Sequence, residues 1–487
     1  DGTLDGAIKA TTKIDDTTGK ASAKFTDLDL GLYLVQETKA PSQIVNKTAN
    51  FLVSVPMTNA AGKAWNYDVV AEPKNAAVYA GINLIKKGTT IKADGTLETV
   101  NLAGVTFVLQ SRPTGSDDSV TWTNVGSYTT ESDGTINVND LAPNDYRFIE
   151  TGLGENNGYI LNGKPYEFTV QNDGKIKVGS KEPTDIATIT ADNEKPDLKK
   201  EVKNGNTYEN AADASIGDMV EWKVSASVPS NVDQLEKYSI TDKMSSALTW
   251  VEAEAALNIT YKSNGTPVNA ETTDYTLIKP TDNQEGGSWT IEFTEAGKTK
   301  LKTNNISSIE VTFKTKLNEK ANIGSAGNLN DAQLDYSNAT NPNDGKKPGE
   351  DHIKDQAKVY SFAIDMTKVD GNNTATKLEG VHFDLYKYSG TVTEPTESDL
   401  KGSGKKINTT DLVTDINGKI TVKGLENGNY YLVETKAAAG GYNLLKAPVK
   451  VVIAQEYSVE KKTTVTKDAE GNVTSTTTVV NLSLIHI

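Results

Sequence analysis

The sequence predicts an all-β chain of tandem β-sandwich domains in an elongated array, and three observations carry that expectation. Short stretches of alternating apolar and polar residues surround Asp-Gly and Asn-Gly turns, as in "SDGTINVND" and "DINGKITVKG", the pattern of half-buried strands joined by tight turns. Gly, Thr and Asn are common and Leu is modest, which suits strands and polar turns better than helical bundles. A motif of the form Tyr-x-apolar-x-Glu-Thr occurs three times, in "GLYLVQET", "DYRFIET" and "YYLVET". With 487 residues the chain is too long for one core and accommodates three or four domains.

Repeats and turn clusters divide it into four segments. Residues 1–75 hold "GLYLVQETKAPSQIV" and the strand-like "ANFLVSVPMT". Residues 76–195 run from "GINLIKKG" through "LAGVTFVLQ" and "DYRFIETG" to "ATITADNEKP", and residues 361–481 repeat that order from "FAIDMTKVDG" to "TSTTTVVN". Residues 196–360 form a different β unit, in which Val220, Trp222, Val224 and Ala226 alternate with more polar neighbours. Residues 482–487 break the Thr-rich pattern and are read as a non-native tail, and both ends of the sequence read as truncated. Helix is expected to be scarce.

A net charge of -15 argues against nucleic-acid binding and against an anionic membrane surface, both of which require clustered Lys or Arg. No apolar run is long enough to cross a membrane. The absence of cysteine excludes disulfides and thiolate metal sites. Three histidines, His352, His382 and His486, offer no credible Ser-His or Cys-His arrangement. "ESDGT" lacks calcium-loop spacing, and no cofactor or metal is expected.

The recurring motif poses a chemical problem. In a strand, Glu434 shares a face with Tyr430 and Leu432, Glu150 with Tyr146 and Phe148, and Glu37 with Tyr33 and Val35. Burial would strip each carboxylate of its hydration. Lysines show the same anomaly, with Lys86 in register with Ile82 and Leu84, Lys368 with Ile364 and Met366, and Lys200 with Leu198 and Val202. Each of these three segments carries an inward asparagine near its end: Asn193 beside Ile189 and Ala191, Asn481 beside Thr477 and Val479, and Asn330 with Ala332, Leu334 and Tyr336. The third segment supplies Asp242 as its acid.

Two readings remain open at this point. One is a structural ion pair hydrogen-bonded to an amide, although such pairs gain little once desolvation is counted. The other is reaction: burial lowers the lysine pKa and frees its lone pair, while a carboxyl kept neutral polarises the Asn carbonyl and relays protons. Attack of Lys Nζ on Asn Cγ then expels ammonia and leaves an intramolecular isopeptide bond, with proximity in a dry core supplying the effective concentration.

These residues resemble the backbone pilins of Gram-positive sortase-assembled pili. "YYLVETKAAAGGYNLL" and "DYRFIETGLGENNGYIL" look like the family's E-box, Tyr-x-Leu-x-Glu-Thr-x-Ala-Pro-x-Gly-Tyr, and "GLYLVQETKAPSQIV" is a shorter match. The second and fourth segments are similar to collagen-adhesin B-type immunoglobulin-like domains, and the third to the pilin's other isopeptide-forming domain. The resemblance implies bonds Lys86–Asn193 with Glu150, Lys200–Asn330 with Asp242, and Lys368–Asn481 with Glu434, where Asn328 and Asn338 are alternatives to Asn330.

"WNYDVVAEPKN" looks like the pilin motif, Trp-x-x-x-Val-x-Val-Tyr-Pro-Lys, matching at Trp65, Val69, Pro73 and Lys74 and departing at Ala71 and Glu72. Strand parity would put Lys74 on the more polar face with Asp68, Val70 and Glu72. In the family, a class C sortase cleaves Leu-Pro-x-Thr-Gly in one subunit and the pilin lysine attacks the acyl-enzyme. That motif is absent here and is expected just beyond Asn481. Glu37 and Asn75 would serve a further crosslink whose lysine lies on a missing N-terminal strand.

The implied function is a structural shaft subunit whose partners are identical subunits, a class C sortase, ancillary pilins and host-surface ligands, in a cell-wall-anchored extracellular pilus. The competing reading is a tip or wall-anchored adhesin, against which stands the absence of an Asp-x-Ser-x-Ser metal motif. A turnover enzyme is not expected, because the bond-forming reaction consumes its own residues.

Overall fold

The computed structural model describes residues 6–14, 20–41, 43–59, 62–254, 256–340, 348–467 and 473–486, and from residue 456 onward the description is of backbone alone. The chain is all-β, with helices at Glu295–Thr303 and Glu397–Ser403 and a 3-10 turn at Val232–Gln234 among the described residues.

In the first segment Gly31–Val35 pairs antiparallel with Phe51–Val55. Residues 67–76 form no strand; a single bridge between Ile44 and Ala77 ties down their end. The expectation that parity aims Lys74 is therefore corrected. Pro73 has no N–H to give a ladder, and Lys74 is exposed because its segment lies unpaired on the surface.

The second domain is a sandwich. One sheet runs Thr123–Thr129, Thr106–Arg112, Asn144–Gly152, Tyr166–Val170 and Ile176–Lys177 in spatial order, and the other runs Thr135–Leu141, Ala80–Ile91 and Ile186–Lys195. Alternation along the first strand buries Ile82, Leu84 and Lys86, and along the last strand Ala187, Ile189, Ala191 and Asn193. First and last strands are parallel neighbours in the register Lys86↔Ala191 and Gly88↔Asn193. Parallel pairing puts Asn193 one pleat beyond Lys86 on the same face. A Cβ on Gly88 would stand 2.6 Å from the Tyr159 ring, so glycine is required to leave room for that ring.

In the third domain Tyr238–Thr249 pairs with Asn328–Ser337 and Glu285–Phe293 along most of its length, then meets Ser308–Leu317 through Leu248↔Leu317 and Thr249↔Lys316. One long strand thus passes from one layer to the other, and the layers enclose Trp222, Trp289, Tyr238 and Phe313. The helix Glu295–Thr303 begins at Thr294, whose hydroxyl accepts from the Gly297 N–H.

In the fourth domain Phe362–Thr367 pairs with Lys419–Leu425, and His382–Lys387 and Val449–Ile453 flank Gly428–Lys436. The strand Val473–His486, which carries Asn481, pairs with Glu456–Lys467. The side chain of Asn481 lies outside the described residues.

Consecutive domains are stitched together. Leu161–Asn162 of the second pairs parallel with Ala339–Thr340 of the third. Between third and fourth, the Ile216 N–H donates to the Gly424 carbonyl at 3.0 Å and the Asn427 N–H to Asp213 Oδ2 at 2.6 Å.

Candidate functional site

Three buried polar clusters occupy the places that the sequence marks. In the second domain Lys86, Glu150 and Asn193 are 0%, 2% and 1% exposed, a degree of burial ordinarily reserved for apolar residues. Lys86 Nζ stands 3.8 Å from Glu150 Oε2, and Asn193 Nδ2 donates to Glu150 Oε1 at 2.6 Å. The lysine also donates to the carbonyls of Lys87 and Ala191 at 3.2 and 3.4 Å. Glu150 Oε2 and Asn193 Oδ1 have no hydrogen-bond partner among the described residues. Desolvation lowers the Lys86 pKa to about 8, against the pull of Glu150, and raises that of Glu150 to about 7.

Amine and acid are thus both brought within reach of their neutral forms near pH 7. Turning the Asn193 amide over would aim Oδ1 at the carboxyl, where a protonated Glu150 donates to it and polarises Cγ; the two amide orientations differ only in atom assignment.

In the third domain Lys200, Asp242 and Asn330 are all 0% exposed. Lys200 Nζ lies 2.7 Å from Asp242 Oδ2, and 5.0 and 4.4 Å from the centres of the Trp222 and Phe313 rings. Desolvation dominates again, lowering Lys200 and raising Asp242 to about 6. Neither side-chain polar atom of Asn330 makes a well-formed hydrogen bond, and its weak pull on Asp242 is the least of the influences on that carboxyl.

The alternative asparagines are differently engaged. Asn328 Oδ1 accepts from the Asn322 N–H at 2.7 Å and its Nδ2 donates to the carbonyls of Asn322 and Val359 at 3.2 and 3.1 Å. Asn338 lies beyond the far end of the strand, against Gly349. Of the three, Asn330 alone joins full burial to an uncommitted amide, on the strand beside Asp242.

In the fourth domain Lys368 Nζ lies 2.9 Å from Glu434 Oε2, with the Lys368 side chain 15% exposed and that of Glu434 1%. The structure thus brings lysine and acid together here; the third member, Asn481, lies outside the described side chains. In the first segment Asn75 Nδ2 donates to Glu37 Oε1 and Oε2 at 2.8 and 3.0 Å, the acid-to-amide contact of the second domain without a described lysine. Trp65, Pro73 and Lys74 are exposed and Val69 is half-buried.

Sequence reasoning missed two supports. The Leu445 N–H donates to Glu434 Oε2 at 3.0 Å. In the third domain Asp355 Oδ2 accepts from the backbone N–H of Lys200 at 2.7 Å. The Gly441-Tyr442 that closes the fourth domain's E-box was the available signal for the first.

Comparison with known proteins defines first a class, a multi-domain pilin with prealbumin-like modules. The model of the Gram-positive pilin subunit D1 N-terminal domain matches residues 2–76, that of the Gram-positive pilin backbone subunit 2 Cna-B-like domain matches 216–341, and the prealbumin-like fold domain matches 87–184 and 362–476. The type 1 fimbrial subunit of Actinomyces viscosus is 45% identical over 74 residues, and the type 2 fimbrial subunit of Actinomyces naeslundii 44% over 66. These alignments cover 14% and 12% of the relatives' lengths, and 14% and 13% of this chain.

The T6 backbone pilin of Streptococcus pyogenes superposes with a TM-score of 0.50 at 19% identity, over 83% of this chain and 94% of that one, which shows a shared fold. The major pilin SpaD of Corynebacterium diphtheriae, also 19% identical, gives 0.49 over 84% and 98%. The chain belongs to the backbone pilins of Gram-positive bacteria.

Proposed function

We propose that the protein is the shaft subunit of a covalently polymerised extracellular pilus, stabilised by self-formed Lys-Asn isopeptide bonds and joined to its neighbours through Lys74. The observation that carries this reading is the Lys86, Glu150 and Asn193 cluster, buried, with the amide on the carboxyl and the amine 3.8 Å from it. A purely structural ion pair is a poor use of such a position, because its desolvation cost offsets its attraction.

In the reaction, the neutral Lys Nζ attacks Asn Cγ, the neutral carboxyl stabilises the developing oxyanion, and protons pass from the amine through the carboxyl to the departing nitrogen. A C–N bond to lysine forms, the C–N bond to the Asn nitrogen breaks, one ammonia leaves, and the carboxyl ends in its starting state. In the second domain the bond joins first and last strands, so tension there runs through an amide rather than a ladder of hydrogen bonds. Glu434 with Lys368, and Asp242 with Lys200 and Asn330, support the same role in the other domains.

Lys74 is exposed, beside Pro73 and away from any strand, and is accessible to a sortase acyl-enzyme. The protein is a structural subunit rather than a turnover enzyme.

The test is the intact mass of the denatured chain with tryptic mapping. Each bond removes about 17 Da as ammonia and joins two tryptic peptides into a branched one. A mass equal to that of the unmodified chain refutes the crosslinks.

A further inference from the structure

Two buried carboxylates hold Lys200. Asp242 takes the amine at 2.7 Å, and Asp355 Oδ2 accepts from the backbone N–H of the same residue, also at 2.7 Å. Asp355 is 4% exposed. The register explains the arrangement, since Asp242 stands opposite Ala332 on one side of the strand Asn328–Ser337 and Asp355 stands opposite Ala332 on the other. Residues directly opposite in a ladder share a face, so both acids point inward with Asn330, which lies two residues from Ala332 on the same face. The Lys200 side chain therefore spans the strand that carries Asn330, tied at its root to Asp355 and at its tip to Asp242.

The second domain reaches the same end by other means. Its lysine strand and its asparagine strand are ladder neighbours, so backbone pairing itself sets Lys86 against Asn193. In the third domain the lysine strand Leu198–Asn204 pairs with Thr207–Glu209 and Met219–Ser227 and, among the described residues, has no ladder with Asn328–Ser337 or Glu350–Tyr360. Antiparallel pairing turns every second N–H of a strand away from its neighbour. At Lys200, opposite Val224, that N–H is turned to Asp355 on Glu350–Tyr360. A side chain thus makes the backbone tie that a ladder makes in the second domain.

We propose that Asp355 is a positioning residue for the third domain's crosslink: by holding the Lys200 backbone where no ladder does, it sets the reach of Nζ to Asp242 and Asn330. The inference rests on the crosslinking reading given above. Asp355 itself exchanges no proton and forms no bond in the reaction; it acts through the main chain of the lysine.

The experiment follows the full chain after cell-free synthesis, with branched peptides containing Lys200 or Lys86 quantified over time and folding of the third domain read from the near-ultraviolet dichroism of its buried tryptophans, Trp222 and Trp289. Asp355→Asn removes the charge and keeps an acceptor oxygen, whereas Asp355→Leu removes both at similar volume, so the difference between them isolates the hydrogen bond. Asp355→Leu is expected to slow the Lys200–Asn330 bond roughly tenfold or more, the scale on which misplacement of a reacting group acts, with Lys86–Asn193 unchanged. Asp355→Asn restores the rate. A merely structural role would lower the melting temperature of Asp355→Leu without changing the rate at which folded chains acquire the bond.

Parental rates in both variants overturn the proposal while leaving the crosslinks standing. Equal slowing in both overturns it as well, because the carboxylate then acts through its charge. No Lys200 branched peptide in the parent overturns the third domain's crosslink together with the proposal. Where Asp355→Leu fails to fold, Asp355→Ala decides: a slowed Lys200 bond in the folded variant supports the proposal and a parental rate sinks it.

Discussion

Lys200 and Asp242 face each other at 2.7 Å with neither side chain exposed to solvent. An ion pair so placed gains little over an apolar replacement, but removing one partner strands the other charge. Asp242→Ala is therefore expected to leave Lys200 and Asn330 unjoined, seen as a mass about 17 Da above that calculated for the bonded variant. It should also lower unfolding free energy by about 3–5 kcal/mol for the broken pair, with loss of the covalent loop in addition. A variant carrying the Lys200–Asn330 bond at parental yield refutes the role given to Asp242.

Asn328 and Asn330 separate structure from chemistry on one strand. Asn328→Ala removes the bonds to Asn322 and Val359 and is expected to destabilise by about 1–3 kcal/mol while the Lys200 branched peptide persists. Asn330→Ala breaks no well-formed hydrogen bond yet should abolish that peptide. Peptide mapping of the two variants checks this directly, and the reverse pattern would move the crosslink to Asn328.

The pH dependence of an uncrosslinked second domain follows from the Lys86 and Glu150 shifts. In Asn193→Ala no bond forms, and both groups titrate. Glu150, raised from 4.5 to about 7, adds stability that is fully present below pH 4.5 and is lost as pH rises through 7. Lys86, lowered from 10.5 to about 8, adds stability that is present above 10.5 and is lost as pH falls through 8. The pair's contribution to stability is therefore lowest between about pH 7 and 8 and improves on either side. Thermal unfolding of Asn193→Ala across pH 5–10, compared with Lys86→Met/Glu150→Gln/Asn193→Ala, isolates this trend; a difference independent of pH contradicts it.

Much of this was legible before any coordinates. Strict period-two alternation announced that Lys86, Lys200, Asn193 and Asn330 point inward, and the structure buries all four. The E-box glutamates followed from the same parity, since Glu150 and Glu434 share faces with buried tyrosines. What parity does not carry is anything held by backbone. The Leu445 contact comes from a loop N–H group, for which side-chain identity is almost silent. Asp355 reaches Lys200 from a strand more than a hundred residues away, a distance no local pattern spans. At Lys74 parity arrived at the right exposure for the wrong reason, because residues 67–76 have no strand to be periodic in.

That unpaired segment yields the last prediction. Asn75, next to Lys74, is clamped by Glu37 through two bonds, and the Thr48 N–H donates to Glu37 Oε2 at 2.9 Å. Thr48 Oγ1 in turn lies 3.4 Å from the Lys74 carbonyl. The backbone around Lys74 is thus fixed while its side chain stays exposed, which favours capture by an acyl-enzyme because less ordering remains to be done on encounter. Lys74→Arg keeps the charge but offers no amine of ordinary nucleophilicity, and should abolish sortase-dependent joining while leaving the intramolecular bonds and melting temperature unchanged. Glu37→Ala should retain joining at a reduced rate, since the lysine survives but its support is loosened. Both are read as ladders of denatured, covalently linked oligomers after incubation with a class C sortase and a second subunit bearing a sorting motif. Undiminished ladders from Lys74→Arg would place the intersubunit bond on another lysine.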